Sequence, residues 1–351
     1  MPIDLSSSSS SSIHTSREYD QVENHLRLCI AVLPHSESLL TISASEPILS
    51  EAASSYMRNS YVFDMAQGLQ DILTGFSISQ DDRGELVSAA IFTEARDSVI
   101  KKRGDVPPET LPVLNIADFM SALLGPNVLN VPPSQSPLPN PPKLEDAFSQ
   151  STTHFNHFLK PFEQVMGKNR ISLLSFLIRG AALQGANNQN GWDKLIPFLF
   201  RDSLLGEYNV GFILVQDQND ESVTFSHAER LFALMDPFEL GLFKDGSSTV
   251  PIIRLVFSMA RDETPRMQQY FRPHTTPPRF TSYDFFCEGL SSDVFPLIKD
   301  AEPWKAALRL TPLRNILENY NVTGAKRMYP LGGETHSIMV TKSAQPPVRS
   351  T

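Results

Sequence analysis

The run Val210-Gly211-Phe212-Ile213-Leu214-Val215-Gln216 constrains the fold more than any other part of the sequence. A short, nearly unbroken apolar run bounded by polar residues reads as a buried strand. Leu195 to Phe200 and Ile252 to Phe257 repeat the pattern, and Tyr283 to Cys287 is a weaker example. Pro197 inside the first of these should sit at an edge or a bulge, because proline cannot donate to a ladder.

Helical patterns lie around these strands. Val62, Met65, Ala66, Leu69, Ile72, Leu73 and Phe76 recur at three- and four-residue steps, which predicts an amphipathic helix. A second helix is expected from Glu85 to Lys102, closed by Lys101, Lys102 and Arg103, where cations suit the negative end of the dipole. Further helices are expected over 116–124, 144–166, 171–183, 226–235, 293–299 and 303–319. Helices flanking a few very apolar strands give a mixed α/β (α+β) domain with a small central mixed sheet.

Three segments stand apart. Ser6 to Ser12 are seven consecutive serines, so residues 1–17 read as a disordered tail. Residues 125–143 hold seven prolines and read as an extended loop interrupting one domain over 18–330; it is either a spacer or a ligand for a proline-recognising partner. Residues 331–351 read as a flexible tail.

Composition narrows the function classes. Hydrophobic residues make up 41% of the 351, enough for a core. No apolar run approaches the ~20 residues that span a bilayer, and the N-terminus lacks the pattern of a secretory signal. Cys29 and Cys287 are too few and too far apart for a disulfide framework, so an intracellular location is expected. The net charge of −9 disfavours coating nucleic acid by charge alone, though a nucleic-acid partner is not excluded.

The phosphate-loop, nucleophile-elbow, Cys-x-x-Cys and His-Glu-x-x-His signatures are all absent. His154 and His157 have a helical spacing that can share a metal, but Glu163 is the one nearby candidate for a third ligand, so they read as surface histidines. A more informative set is Glu85 at the start of its helix, Asp193 before a strand, and Gln216 and Gln218 at the end of the clearest strand. Each has a plain alternative. Asp82-x-x-Glu85 fits a capping box, Asp193 fits a turn, and the two glutamines fit a strand leaving the core.

The order helix glutamate, strand aspartate and paired polar residues on the next strand resembles the PD-(D/E)XK restriction-endonuclease-like fold. That resemblance implies a restriction-endonuclease-like core with helical additions, in which Glu85 and Asp193 would hold Mg²⁺. Gln216 and Gln218 would stand where the fold carries a glutamate and a lysine. Asp217, between them, is expected to face the other way. A second resemblance rests on Gly84 to Val87, Phe155 to Phe158, Phe176 to Gln184, Gly191 to Pro197, Phe212 to Asn219, Ile252 to Ala260 and Phe280 to Leu290. In order and spacing these are similar to an expanded family of uncharacterised proteins from mushroom-forming (basidiomycete) fungi. Together the resemblances imply a catalytically decayed site acting by binding or vestigial, with no cofactor. The alternatives are a live metal-dependent nuclease using Glu85 and Asp193, and an interaction module using the Pro-rich loop.

Overall fold

A computed structural model describes residues 27–32, 39–43, 46–59, 64–75, 79–104, 112–160, 170–186, 191–201, 206–244, 250–261, 265–273 and 277–309. The expected tails at 1–17 and 331–351, and the helix beyond residue 309, lie outside these residues. Strands β1 (Arg27–Val32) and β2 (Leu39–Ser43) form an antiparallel pair of their own.

The other strands build one mixed sheet. They are β3 (Leu114–Asn115), β4 (Thr152–Thr153), β5 (His157–Leu159), β6 (Ala181–Gln184), β7 (Lys194–Leu199), β8 (Val210–Gln218), β9 (Ile252–Ser258), β10 (Arg266–Gln269) and β11 (Ser282–Glu288). The main path runs β10-β11-β9-β8-β7-β4-β3, with β6 on the free part of β7's edge and β5 on β6. β8 is parallel to β9 and antiparallel to β7. Pro197 meets its expectation: β6 pairs with residues 194 and 195 and β4 with 199, so the stretch of edge at Pro197 has no strand partner. Its carbonyl accepts the Thr153 hydroxyl at 2.8 Å instead.

Helices α1 (Glu46–Asn59), α2 (Met65–Gly75), α3 (Gln80–Lys102), α4 (Ile116–Leu124), α5 (Leu144–Phe148), α6 (Arg170–Ile178), α7 (Ala228–Leu234) and α8 (Glu302–Arg309) surround the sheet. Residues alternate between faces along a strand, and both faces of β8 are apolar. Ile213 and Val215 join the core under α3, with Val87, Ile91, Phe92 and Ala95. Phe92 stacks on Phe257 of β9 at 5.4 Å. Phe212 and Leu214 join a second core with Leu231 and Phe232 of α7. No helix among the described residues is long and apolar enough to cross a membrane.

Several expected elements change form. The helix expected over 144–166 ends at Phe148; the chain then turns into β4 and β5, where pairing with neighbouring strands outweighs helical propensity. His154 and His157 therefore share no helix. His154 is buried, with Nδ1 3.0 Å from the Pro112 carbonyl, rather than a surface residue. The helix expected over 171–183 stops at Ile178 because Gly180 adopts φ +67, and β6 begins at once. Residues 293–299 form turns, with Pro296 in their midst to block a regular helix. The Pro-rich segment begins with a 3-10 helix (Pro126–Asn130) and is then laid along β11. There Ser134 N–H donates to the Ser282 carbonyl at 2.7 Å, and the Tyr283 hydroxyl donates to the Pro142 carbonyl at 2.6 Å.

Gly180 is needed twice over. Its left-handed backbone disfavours a side chain, and an added Cβ would meet His154 Nε2 at 2.7 Å. Gly180→Ala should lower the unfolding free energy by about 1–3 kcal/mol, read from the urea midpoint at unchanged slope. An unchanged midpoint would mean that the α6–β6 turn does not depend on this conformation.

Candidate active site

The apolar content of β8 ends at Val215, but burial does not. The α3 face of the strand continues through Asp217 to Asn219, which is 5% exposed. Gln216 and Gln218 belong to the other face: Gln216 pairs with Val256 of β9, a member of the α7-side core. The proposed set therefore divides. Glu85, on α3, shares a face with Asp217 and not with the two glutamines, and an unbroken register leaves no bulge to move them.

Glu85 also loses its role as a cap. The N-cap of α3 is Ser79, one turn earlier than the Asp82-x-x-Glu85 pattern predicts, and its hydroxyl accepts from the Asp82 N–H. Glu85 instead turns to the sheet, where the Gln184 side-chain amide donates to its Oε2 and Lys160 Nζ lies at 3.9 Å. Gly84 lets the helix come this close, since a Cβ there would stand 3.0 Å from Asn219 Cβ.

Asp217 Oδ2 accepts from the Lys194 ammonium and, at 2.8 Å, from the Ser88 hydroxyl of α3. The Lys194 side chain is fully buried and that of Asp217 is 3% exposed. Asp217 Oδ1 is also buried and has no hydrogen-bond partner among the described residues. Asp193 reaches the same place from the start of β7: its Oδ2 accepts the Asp217 backbone N–H at 2.7 Å, extending the ladder with a side chain. Three carboxylates thus surround one buried lysine, with Lys160 at the margin. Lys194 and Asn219 escaped the sequence reading. The available signal was a lysine and an aspartate on adjacent antiparallel strands, each opening or ending an apolar run.

The surplus of negative charge in a poorly hydrated place shows in proton affinities. Burial, then the Asp217 charge, pushes Asp193 up to about 7. Burial also raises Glu85, against the pull of Gln184, Lys194 and Lys160, and it raises Asp217 against Lys194. Among the described residues no three His, Cys, Asp or Glu side chains form a ready cage for a metal. The oxygen donors of Asp193 and Asp217 are of the type that Mg²⁺ takes, one or two carboxylates at a time. Asp217 Oδ1, without a hydrogen-bond partner among the described residues, is the acceptor left over there.

The Asp193 shift has a signed consequence. Between the unfolded value near 4 and the folded value about 7, the folded chain holds a proton that the unfolded chain has lost, so stability falls as pH rises through that window. Asp193→Asn keeps an oxygen for the Asp217 N–H and carries no charge. It should leave stability at pH 4 nearly unchanged and raise it at pH 8 by about 1–3 kcal/mol. Parallel denaturant curves for the two proteins at both pH values check this; a pH-independent difference counts against it.

No curated protein and no solved structure matches the chain. A family match covers residues 3–233, which takes in Glu85, Asp193, Lys194, Asp217 and Asn219 and stops within α7, before β9, β10 and β11. The chain belongs to the family described as Domain of unknown function (DUF8736).

Proposed function

We propose that this chain is a metal-dependent phosphodiesterase of PD-(D/E)XK type, acting on nucleic acid, whose lysine comes from β7. The single observation that carries this reading is the Asp217–Lys194 pair beside Asp193 and Glu85. The glutamines at 216 and 218 suggest a decayed site only if they face the helix glutamate. With Asp217 and Asn219 on that face, the carboxylate is present and the lysine is supplied across the ladder. The order α3, β6, β7, β8, α7, β9 supports a restriction-endonuclease-like core, and kinship with the fungal family is part of the same reading.

Asp193 and Asp217 would hold a Mg²⁺ ion, which supplies charge to the phosphoryl oxygens and lowers the proton affinity of a bound water. The chain's residues do the rest. Lys194 holds Asp217 in place and brings positive charge towards the developing negative charge. Glu85, which is not one of those two ligands and lies at the edge of the site, can take the proton that water loses as it attacks phosphorus. The P–O bond to the leaving oxygen breaks, and that oxygen collects its proton from solvent. Gln184 and Lys160 fix the rotamer of Glu85 at the edge of the site.

The test combines cleavage with a metal readout. The unmodified chain at pH 8 with Mg²⁺ or Mn²⁺ should nick single- or double-stranded DNA, and Asp193→Asn should lose at least about a hundredfold in rate while remaining folded. Millimolar Mn²⁺ should raise the melting temperature of the unmodified chain and not that of Asp193→Asn. Gln218→Lys, which puts a cation on the α7 face, should change neither. A metal-dependent stability shift without cleavage would return the chain to the decayed, binding reading. Cleavage that survives Asp193→Asn would overturn the site.

A further inference from the structure

On the opposite face of the sheet from Asp217, the described residues line an open polar cavity of about 220 Å³. It lies where α7, the turn after it, the end of β10 and the Pro-rich segment meet. That volume is below the ~300–1,000 Å³ typical of sites for drug-sized ligands, and suits one long side chain.

Two features define the occupant. The first is charge. Glu229, Asp236 and Glu239 line the cavity against Arg254 and Arg272. Arg254 is already neutralised: its Nε and Nη2 donate to the two Asp284 oxygens at 2.8 and 2.6 Å, and its Nη1 to the Phe232 carbonyl at 2.7 Å. The remaining balance is negative, so the cavity repels an anion and attracts a cation.

The second feature is an unmet donor. Gln135, 7% exposed, lines the cavity, and its buried Nε2 has no hydrogen-bond partner among the described residues. The amide cannot be turned round to hide this, because Oε1 accepts from Arg272 Nη1 at 3.1 Å and the reversed amide would set donor against donor. Its backbone is also fixed, since the Gln135 carbonyl accepts the Ser282 N–H at 3.0 Å. A buried donor of this kind requires an acceptor oxygen.

We propose that this cavity binds an arginine or lysine side chain of a peptide segment, with the cation among Glu229, Asp236 and Glu239 and a peptide carbonyl on Gln135 Nε2. The Pro-rich segment then serves recognition through Gln135, held against β11, and not through its prolines.

N-acetyl-arginine-N-methylamide, titrated into the full chain at low salt and followed by calorimetry, tests the proposal. Saturable binding is expected, with none by the uncharged norleucine analogue. Glu239→Gln, at an exposed position that should not disturb folding, should weaken binding several-fold. Gln135→Leu should weaken it about five- to tenfold, the cost of one lost hydrogen bond. Spermidine, a cation without a carbonyl, should bind more weakly and be indifferent to Gln135→Leu. Absence of saturable binding by both N-acetyl-arginine-N-methylamide and the corresponding lysine compound, equal affinity for spermidine, or indifference to Glu239→Gln would each overturn the assignment.

Discussion

The structure depends on the burial of β8 and β9 from both sides. A strand whose two faces are equally apolar cannot lie on the surface, so it requires one layer of helix on each face and a neighbouring strand on each edge. α3 meets the first demand through Phe92 and its neighbours, and α7 meets the second through Leu231 and Phe232. The candidate site lies where this burial outlasts the apolar sequence. Along the α3 face the positions run Ile213, Val215, Asp217, Asn219, and the last two remain enclosed by the same helix. Polar groups there are desolvated by the layer that stabilises the fold, so a structural constraint becomes a chemical one.

The same constraint explains how much was legible from sequence. The existence of β7, β8 and β9 was plain, because short apolar runs have few other uses, and β11 gave a weaker signal of the same kind. Which residues of β8 face α3 was not plain. Alternation of polar and apolar positions reports a face only when one face is wet. From Val210 to Val215 both faces are dry, so nothing in the run distinguishes the 216/218 set from the 217/219 set. A resemblance based on the order of polar residues therefore fell on the set that faces away from Glu85. Lys194 was hidden for a related reason: a lysine opening an apolar strand reads as a solvated end until its partner across the ladder is known.

Other misreadings come from tertiary pairing. Residues 149–160 have no strong preference of their own, and the edges offered by β6 and β7 turn them into β4 and β5. The helix α6 was correct in its apolar content and too long by the residues after Ile178, where Gly180 takes a backbone conformation that a hydrophobic pattern does not record. The N-cap of α3 moved by one turn because Ser79 and Asp82 satisfy each other, leaving Glu85 for the sheet. For α3 and α6 local sequence gave the type of element, while a distant partner or one torsion angle gave its limits; for 149–160 the partner strands gave the type as well.

The clasp between the Pro-rich segment and β11 bears on how the chain is made. Asp284 N–H bonds to Ser134 Oγ at 2.8 Å across 150 residues of sequence, and β9 and β11 close the sheet beside β8 from the C-terminal side. A ribosome adds ~5–20 residues per second, so residues 131–142 wait ten seconds or so for the strand that holds them. In the part of that interval between the synthesis of β8 and that of β9, β8 has an open edge and its two apolar faces are only partly covered, which is the state in which strands pair with the wrong neighbour. Three of the prolines in that segment, Pro132, Pro133 and Pro137, flank the waiting Ser134 and Gln135. Because proline offers no N–H, the segment is a poor template for another chain's edge until β11 arrives.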